Sequence, residues 1–357
     1  MVNVIGLDIG GANTKAVFLS TKNGFIEELN TAIEYFPVWK DPEKLSIVLS
    51  QLKKRASGSV KLDCVGAAMT AELSDAYRTK REGVNHILSC ITHAFHNVSV
   101  FVLDVEATLR SIEEAKSEPL KVAAANWAAT GWMVSKLIKN CIVIDVGSTS
   151  TSIIPVVEGI VSAAGKTDLE KLMNGELVYT GSLRTNVAAI VNSIPIRSGV
   201  ARVSSELFAQ SGDVHLVLGN ITEKEFTVET ADGEGKTRAE AMARLARVVC
   251  ADIEMLTEQE IIQIAKHVYN KQIEQVAEGL SQVYARIKSL TKAKIVAVIT
   301  GLGKDFLARN AALRVGIDEI VDFNELVQSD IAMVSPAVGV ALMAASKLEG
   351  RIVKWKL

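Results

Sequence analysis

Asp8 and Asp145 each close a short apolar run, Asn3 to Asp8 and Ile142 to Asp145. A carboxylate at the end of a buried-type strand is costly unless a cation, a donor or a bound group compensates its lost hydration. The segments beyond the two acids are alike. Asp8-Ile9-Gly10-Gly11-Ala12-Asn13-Thr14-Lys15-Ala16-Val17 and Asp145-Val146-Gly147-Ser148-Thr149-Ser150-Thr151-Ser152-Ile153-Ile154 share one order: acid, any residue, glycine, small polar turn, strand. Glycine, lacking a Cβ, lets backbone N–H groups come close to an anion, and the hydroxyls of such a turn add donors. A single Asp-x-Gly is an ordinary β-turn. Two of them, each after a buried-type strand, predict two facing hairpins that clamp a phosphate. Gly10, Gly11, Asn13 and Thr14 are the candidates in the first, and Gly147, Ser148, Thr149 and Ser150 in the second.

Other motifs are weaker. Thr300-Gly301-Leu302-Gly303-Lys304 ends a β-type run and opens a helix near Asp305, but Phe306 stands where a dinucleotide fingerprint needs its third glycine. Gly165-Lys166-Thr167 has the tail of a P-loop, with Ile160 in place of its first glycine. His215 and Asp232 lie at no ligand spacing, which favours a hydrogen-bonded core histidine over a metal site. Trp127 and Trp132, in an Ala-rich helical stretch, read as core more readily than as an aromatic pocket.

These residues must be held by an α/β frame. β-type runs recur at Asn3 to Asp8, Thr14 to Leu19, Cys64 to Ala68, Val98 to Leu103, Ile142 to Asp145, Thr151 to Val156 and Ile295 to Thr300. Helical spacing fills Pro42 to Arg55, Pro119 to Ile138 and Pro336 to Leu348. The strongest helix runs from Thr257 to Leu290: Thr257 and Glu260 form a capping box, and Ile261, Ile264, Val268, Ile273, Val276, Leu280, Val283 and Ile287 mark one apolar face.

At 357 residues the chain exceeds the ~150 of one domain. Two lobes are expected, 1–125 and 126–357, the second carrying an inserted segment at about 165–255. Thirty-nine basic against 41 acidic residues give no field to draw nucleic acid or an anionic membrane. Cys64, Cys90, Cys141 and Cys250 are far apart and beside apolar runs, as buried reduced thiols would be. With no basic region ahead of an apolar stretch at Met1, this predicts a cytoplasmic chain.

On the two hairpins and Thr300-Gly301-Leu302-Gly303, the sequence resembles the superfamily of actin, sugar kinases and heat-shock chaperone ATPases, with a ribonuclease H-like fold. More narrowly, Met69-Thr70-Ala71-Glu72-Leu73-Ser74-Asp75, Ala124-Ala125-Asn126-Trp127, Val178-Tyr179-Thr180-Gly181 with Arg184-Thr185, and Glu229-Thr230-Ala231-Asp232-Gly233 resemble a hydantoinase/oxoprolinase-related branch. That branch contains the enzyme of methanofuran biosynthesis that joins an aminomethylfuran diphosphate to γ-glutamyltyramine. The resemblance implies a transferase that breaks a furfuryl C–O bond, releases diphosphate and bonds the carbon to a phenol oxygen.

In that reaction the turns and Lys15 would meet the leaving group's charge, Gly301 and Gly303 would join the phosphate side, and Asp8 and Asp145 would hold Mg²⁺. Glu72, or else Asp75, would take the phenol's proton. Arg78, with Lys80 and Arg81, and Arg184 would receive the glutamyl carboxylates. ATP-using members usually carry two adjacent glycines at the adenosine motif. Leu302 follows Gly301 here, so a substrate bearing its own diphosphate is favoured over ATP, the cofactor of an alternative kinase or ring-opening hydantoinase/oxoprolinase reading.

Overall fold

The computed structural model describes residues 1–355. The chain forms two compact units: Met1–Val143 with Ile154–Met173 and the chain from Phe323 onward, and Ile144–Ile153 with Asn174–Asp322. This differs from a single boundary near residue 125, because the last long helix, Ser335–Glu349, returns to pack on the first unit's sheet.

In the first unit, β1 (Val2–Ile9), β2 (Asn13–Lys22), β3 (Phe25–Tyr35), β4 (Cys64–Met69), β5 (Ser99–Leu103) and β6 (Leu109–Arg110) form a sheet of order β3-β2-β1-β4-β5-β6. β1 is antiparallel to β2 and parallel to β4, which is parallel to β5. Alternation along β1 and β4 sorts the faces. Ile5, Leu7, Ile9, Val65, Ala67 and Met69 join the core with helices Leu45–Ser57 and Lys80–Ala94. Gly6 and Gly66 face the other way, where a Cβ would strike the backbone oxygens of Ala337 and Val340. Only glycine lets Ser335–Glu349 lie this close. Asp8 shares parity with Gly6 and so lies on the helix side rather than in the aliphatic core. Ala332–Glu349 is apolar and long enough to cross a membrane, but 78% of it is buried inside the protein, as a core helix is.

Next come β7 (Cys141–Val146), β8 (Thr151–Val157), β9 (Ile160–Val161), β10 (Leu177–Val178), the hairpin β11 (Ser193–Ile196) and β12 (Gly199–Arg202), β13 (Val296–Thr300) and β14 (Ile320–Asp322). The second sheet has the order β10-β8-β7-β13-β14, with β10, β13 and β14 lying in the second unit. Helix Glu258–Leu290, about 50 Å long at 1.5 Å per residue, runs through this unit and starts at the expected box: Thr257 Oγ1 accepts from Glu260 N–H, and Glu260 Oε2 accepts from Thr257 N–H at 2.8 Å. Every residue of its expected apolar face is buried.

Two expectations need correction. The helical stretch expected from Pro119 to Ile138 is two helices, Pro119–Val122 and Asn126–Ser135, broken where Ala124 takes a φ of 51°. Cys250 is exposed, whereas Cys64, Cys90 and Cys141 are buried and burial pushes the thiols of Cys64 and Cys141 up to about 12.

Candidate functional site

The two hairpins repeat in geometry what they repeat in sequence. Gly10 N–H donates to Asn13 O at 3.0 Å, and Gly147 N–H donates to Ser150 O at 3.0 Å. In the first turn the carbonyls of Gly11 and Ala12 are taken by Val38 and Phe36 N–H, while the N–H groups of Gly11 and Ala12 meet no acceptor among the described residues. A Cβ on Gly11 would have nothing within 4 Å. The turn therefore offers donors toward open space. Thr14 is fully buried and its Oγ1 has no hydrogen-bond partner.

Asp8, 2% exposed, is held on both oxygens: Lys15 Nζ lies 3.2 Å from Oδ2 and Asn126 Nδ2 donates to Oδ1 at 3.3 Å. Register explains the first contact, since Asp8 and Lys15 are directly paired across β1 and β2. Asn126 stands at the start of the helix beyond the break at Ala124, and nothing in its spacing marked it as a partner for Asp8.

In the second unit the turn Gly147–Ser150 is braced rather than open. Ser182 N–H donates to Gly147 O at 2.9 Å, and Leu183 and Arg184 N–H both donate to Ser148 O at 3.0 Å. A Cβ on Gly181 would come within 2.6–2.7 Å of the Thr149 and Ser150 backbone, so this strap lies flush on the turn. Arg184 Nη1 donates to Thr149 Oγ1 at 3.4 Å. Behind the strap, Gln272 Nε2 donates to Thr180 Oγ1 and Gly181 O, each at 2.8 Å. The Gln272 Oε1 then faces His215 Nε2 at 2.9 Å, and Asn220 Nδ2 meets His215 Nδ1 at 3.1 Å. With the amide donating on its other side, His215 must carry its proton on Nε2. Burial, the main cause, pulls its pKa down to about 4. It is the core histidine the spacing indicated, and Asp232 pairs instead with Arg244 and Arg247.

Gly301 and Gly303 serve this same hairpin. Gly301, at a φ of +85°, lies against Val146 O and Asp145 Oδ1, and Gly303 lies against the Val146 side chain and Ser182 Oγ while its N–H donates to Val146 O at 3.1 Å. Ser182 Oγ is buried without a hydrogen-bond partner. Gly165-Lys166-Thr167 leads into helix Asp168–Met173, with Glu170 Oε2 accepting from the N–H groups of Lys166 and Thr167.

Glu72 is the outlier among the acids. It sits on the turn Ala71–Leu73 after β4, two residues past Thr70, whose N–H donates to Ile9 O at 2.9 Å. It is 1% exposed, and neither carboxylate oxygen has a well-formed hydrogen bond. Lys80 Nζ lies 3.7 Å from Oε1 but only 2.5 Å from Asp168 Oδ2. Burial pushes the Glu72 pKa up to about 7, with Lys80 and nearby backbone N–H groups of Glu72 and Ala124 drawing it partly back. Asp104, also buried, shows the ordinary alternative: it accepts from Glu106 and Thr108 N–H and from Arg110 Nε. Close to Glu72 in sequence, Asp75, Arg78 and Arg81 are exposed, and Arg78 N–H donates to Glu82. Lys171, 2% exposed, has its Nζ 4.0 Å above the ring of buried Trp127. Asp168 and Lys171 carry no signal in the sequence, where they look like surface charges on a short helix.

No group of three or more His, Cys, Asp or Glu side chains suited to a metal occurs among the described residues. Mg²⁺ commonly takes one or two carboxylates with phosphate oxygens, and Asp8 and Asp145 each offer hard oxygens of that kind. An open hollow of about 660 Å³ lined by Ser50, Ser89, Thr92, His93, His96 and Lys116 includes none of the candidates.

Residues 63–346 match the hydantoinase/oxoprolinase family. The chain is 39% identical over 351 residues to the (4-{4-[2-(gamma-L-glutamylamino)ethyl]phenoxymethyl}furan-2-yl)methanamine synthase of Methanocaldococcus jannaschii, covering 98% of this chain and 99% of that one. It is 35% identical over 218 residues to a synthase of the same name from Methanococcus vannielii, 60% of this chain and 95% of that one. Nucleotide-free acetone carboxylase overlays 96% of this chain and 70% of its own with a TM-score of 0.54 at 10% identity, a likeness of fold.

Proposed function

Because the chain belongs to the hydantoinase/oxoprolinase family, with the actin/hexokinase-like α/β fold, we propose that it is a methanofuran-pathway synthase of the kind its full-length relative is named for. The single observation that carries this is 39% identity across 98% of the chain. It is an enzyme, and the reaction we assign is transfer of an aminomethylfuranylmethyl group from diphosphate to the phenol oxygen of γ-glutamyltyramine.

The furfuryl C–O bond breaks with its electron pair going to diphosphate, and the phenol oxygen bonds to the freed carbon. The first hairpin answers the leaving charge with the open N–H groups of Gly11 and Ala12, Thr14 Oγ1 and Lys15. The second hairpin carries donors of the same kind at Ser148, Thr149, Ser150 and Arg184. Preorganised donors of this type cost no reorganisation as charge develops. Arg184, tied to Thr149, is better placed for phosphate oxygens than for a glutamyl carboxylate. Mg²⁺, when bound, would neutralise diphosphate charge against a hard carboxylate, for which Asp8 and Asp145 are the candidates.

A phenol, with a pKa of ~10, is a stronger acid once its oxygen begins to bond to carbon. A carboxylate titrating at about 7 can then take the proton, and Glu72 fits this role. ATP is not needed in this scheme, since the leaving group arrives with the substrate.

The test is incubation with the furfuryl diphosphate and γ-glutamyltyramine, without ATP, followed by mass analysis for the aryl ether and assay of diphosphate. Titration calorimetry with diphosphate, ATP and ADP accompanies it. ATP binding more tightly than diphosphate and being hydrolysed during turnover would replace this reading with a kinase-like one.

A further inference from the structure

Glu72, Lys80 and Asp168 come from three separate elements of the first unit: the turn after β4, the first residue of helix Lys80–Ala94, and the first residue of helix Asp168–Met173. Their spacing is uneven in a way that matters. One ammonium faces two carboxylates and is 2.5 Å from the half-buried Asp168 but 3.7 Å from the fully buried Glu72. The buried acid, which needs the cation more, is the one left without it. A buried carboxylate without a well-formed hydrogen bond is costly in its charged form, and buried acids elsewhere in this chain are better served: Asp104 has three donors and Asp213 has Arg244 at 2.8 Å.

The packing keeps the arrangement in place. A Cβ on Gly83, one turn along from Lys80, would come within 2.6 Å of Glu72 Cα and O, so the helix carrying Lys80 lies flush on the turn carrying Glu72. The charged groups that face Glu72 are Lys80 from that helix and Asp168 from the other, while the chain at Ala124 brings only a backbone N–H. Lys171, on the same helix as Asp168, has its ammonium over Trp127.

We infer that Asp168 is a positioning residue for Glu72: by drawing the Lys80 ammonium onto its own carboxylate, it keeps Lys80 from neutralising Glu72 and leaves the buried Glu72 carboxylate basic enough to take the acceptor's proton. The inference rests on the proposed reaction, in which the phenol O–H proton passes to a Glu72 oxygen as the ether C–O bond forms and the furfuryl C–O pair leaves with diphosphate. Glu72 then returns the proton to solvent. Nothing besides the two substrates is consumed.

The charges give the arrangement a signature that loss of packing lacks. In Asp168→Asn, Lys80 is released to Glu72 and the repulsion from Asp168 disappears, so both effects lower the Glu72 pKa. In Lys80→Met the attraction is lost and the pKa rises. An opposite charge at this range moves a carboxyl by about one unit or more. The acid limb of kcat/KM, set near pH 7 in the wild type by Glu72, is therefore expected about one unit lower in Asp168→Asn and about one unit higher in Lys80→Met. Asp168→Glu should restore it, and Glu72→Gln should abolish it with a large fall in rate. The same shifts are read without substrate by carbon-13 NMR titration of glutamate-labelled protein, the Glu72 resonance being assigned by its absence in Glu72→Gln. Limbs that move in the same direction in both variants, or in neither, would overturn the inference. A wild type that makes no ether would remove the proposed reaction and the base role with it, while the NMR titration would still decide whether Asp168 and Lys80 set the Glu72 pKa in opposite senses.

Discussion

The two hairpins began with one plan and now hold it in different ways. Both close by a glycine N–H to a carbonyl three residues on, at 3.0 Å in each. The first is held at its Gly11 and Ala12 carbonyls by Val38 and Phe36 N–H but leaves the Cβ side of Gly11 open, and it keeps its acid between a lysine and an asparagine. The second is pinned by Gly181–Arg184, which is itself tied to Gln272 and His215. An open turn gives a ligand room to seat, whereas a braced turn presents donors whose positions are fixed beforehand. The shared residue order gives the shared geometry, and the surrounding segments give each hairpin its own mechanical character.

The sharpest way to break the comparison is at the first acid. Asp8→Ala should lower turnover by roughly 10²–10³-fold, the scale seen when a charge-stabilising group is removed. It should leave a cooperative melt, because Asp8 lies on the helix-side face and not in the aliphatic core. Near-normal product formation would remove Asp8 from the site, and loss of the cooperative transition would make it a structural residue.

A pair of glycine substitutions probes open against braced directly. Gly181→Ala places a Cβ within 2.6–2.7 Å of the Thr149 and Ser150 backbone, which cannot yield cheaply. It should cost about 1–3 kcal/mol of stability and reduce activity with it. Gly11→Ala meets nothing within 4 Å, so stability should stay within about 0.5 kcal/mol while KM for the diphosphate substrate rises. Denaturant unfolding and steady-state kinetics on both proteins check this. Equal destabilisation by the two would show that the first turn is as closely packed as the second.

Much of this was legible in the sequence, and the physical reasons are specific. Both hairpins could be read because an acid, a glycine and small polar residues recur in a fixed order, and turn chemistry is local. The long helix could be read because its capping box and apolar stripe lie within one segment. The features that escaped depend on contacts distant in sequence. β3 is an edge strand with charged residues scattered along it, FIEELNTAIEY, and shows no clean alternation. The pairing of Lys80 with Asp168 spans 88 residues, and that of Gln272 with Thr180 spans 92. Glu72 was legible as an acid beside a strand end, but its burial without a well-formed hydrogen bond emerges only when Gly83 brings a helix against it. Ser182 and Asn126 carried no sequence signal beyond the family segments around them.

The smallest expected effect concerns the brace behind the second hairpin. His215 is fully buried, and its pKa in the folded chain is pulled down to about 4, against ~6.5 when exposed. Between those values the unfolded chain takes up a proton that the folded chain refuses, so this residue makes stability fall as pH drops from about 6.5 toward 4. The slope is at most about 1.4 kcal/mol per pH unit. Glu72 and Asp213, raised to about 7 and about 6, act in the opposite sense, since the folded chain holds their protons more tightly than the unfolded one. Those contributions are common to wild type and a His215→Gln variant and cancel in their difference. The variant should be less stable at pH 7 by about 1–3 kcal/mol, the cost of disturbing a buried hydrogen-bond chain through Gln272. As pH falls to 5 the gap should narrow, because glutamine does not titrate. Guanidinium unfolding at pH 7, 6 and 5 measures it. A gap that stays constant over that range would mean that folded His215 accepts a proton, which the Asn220 and Gln272 contacts leave no room for, and the locked brace would have to be abandoned.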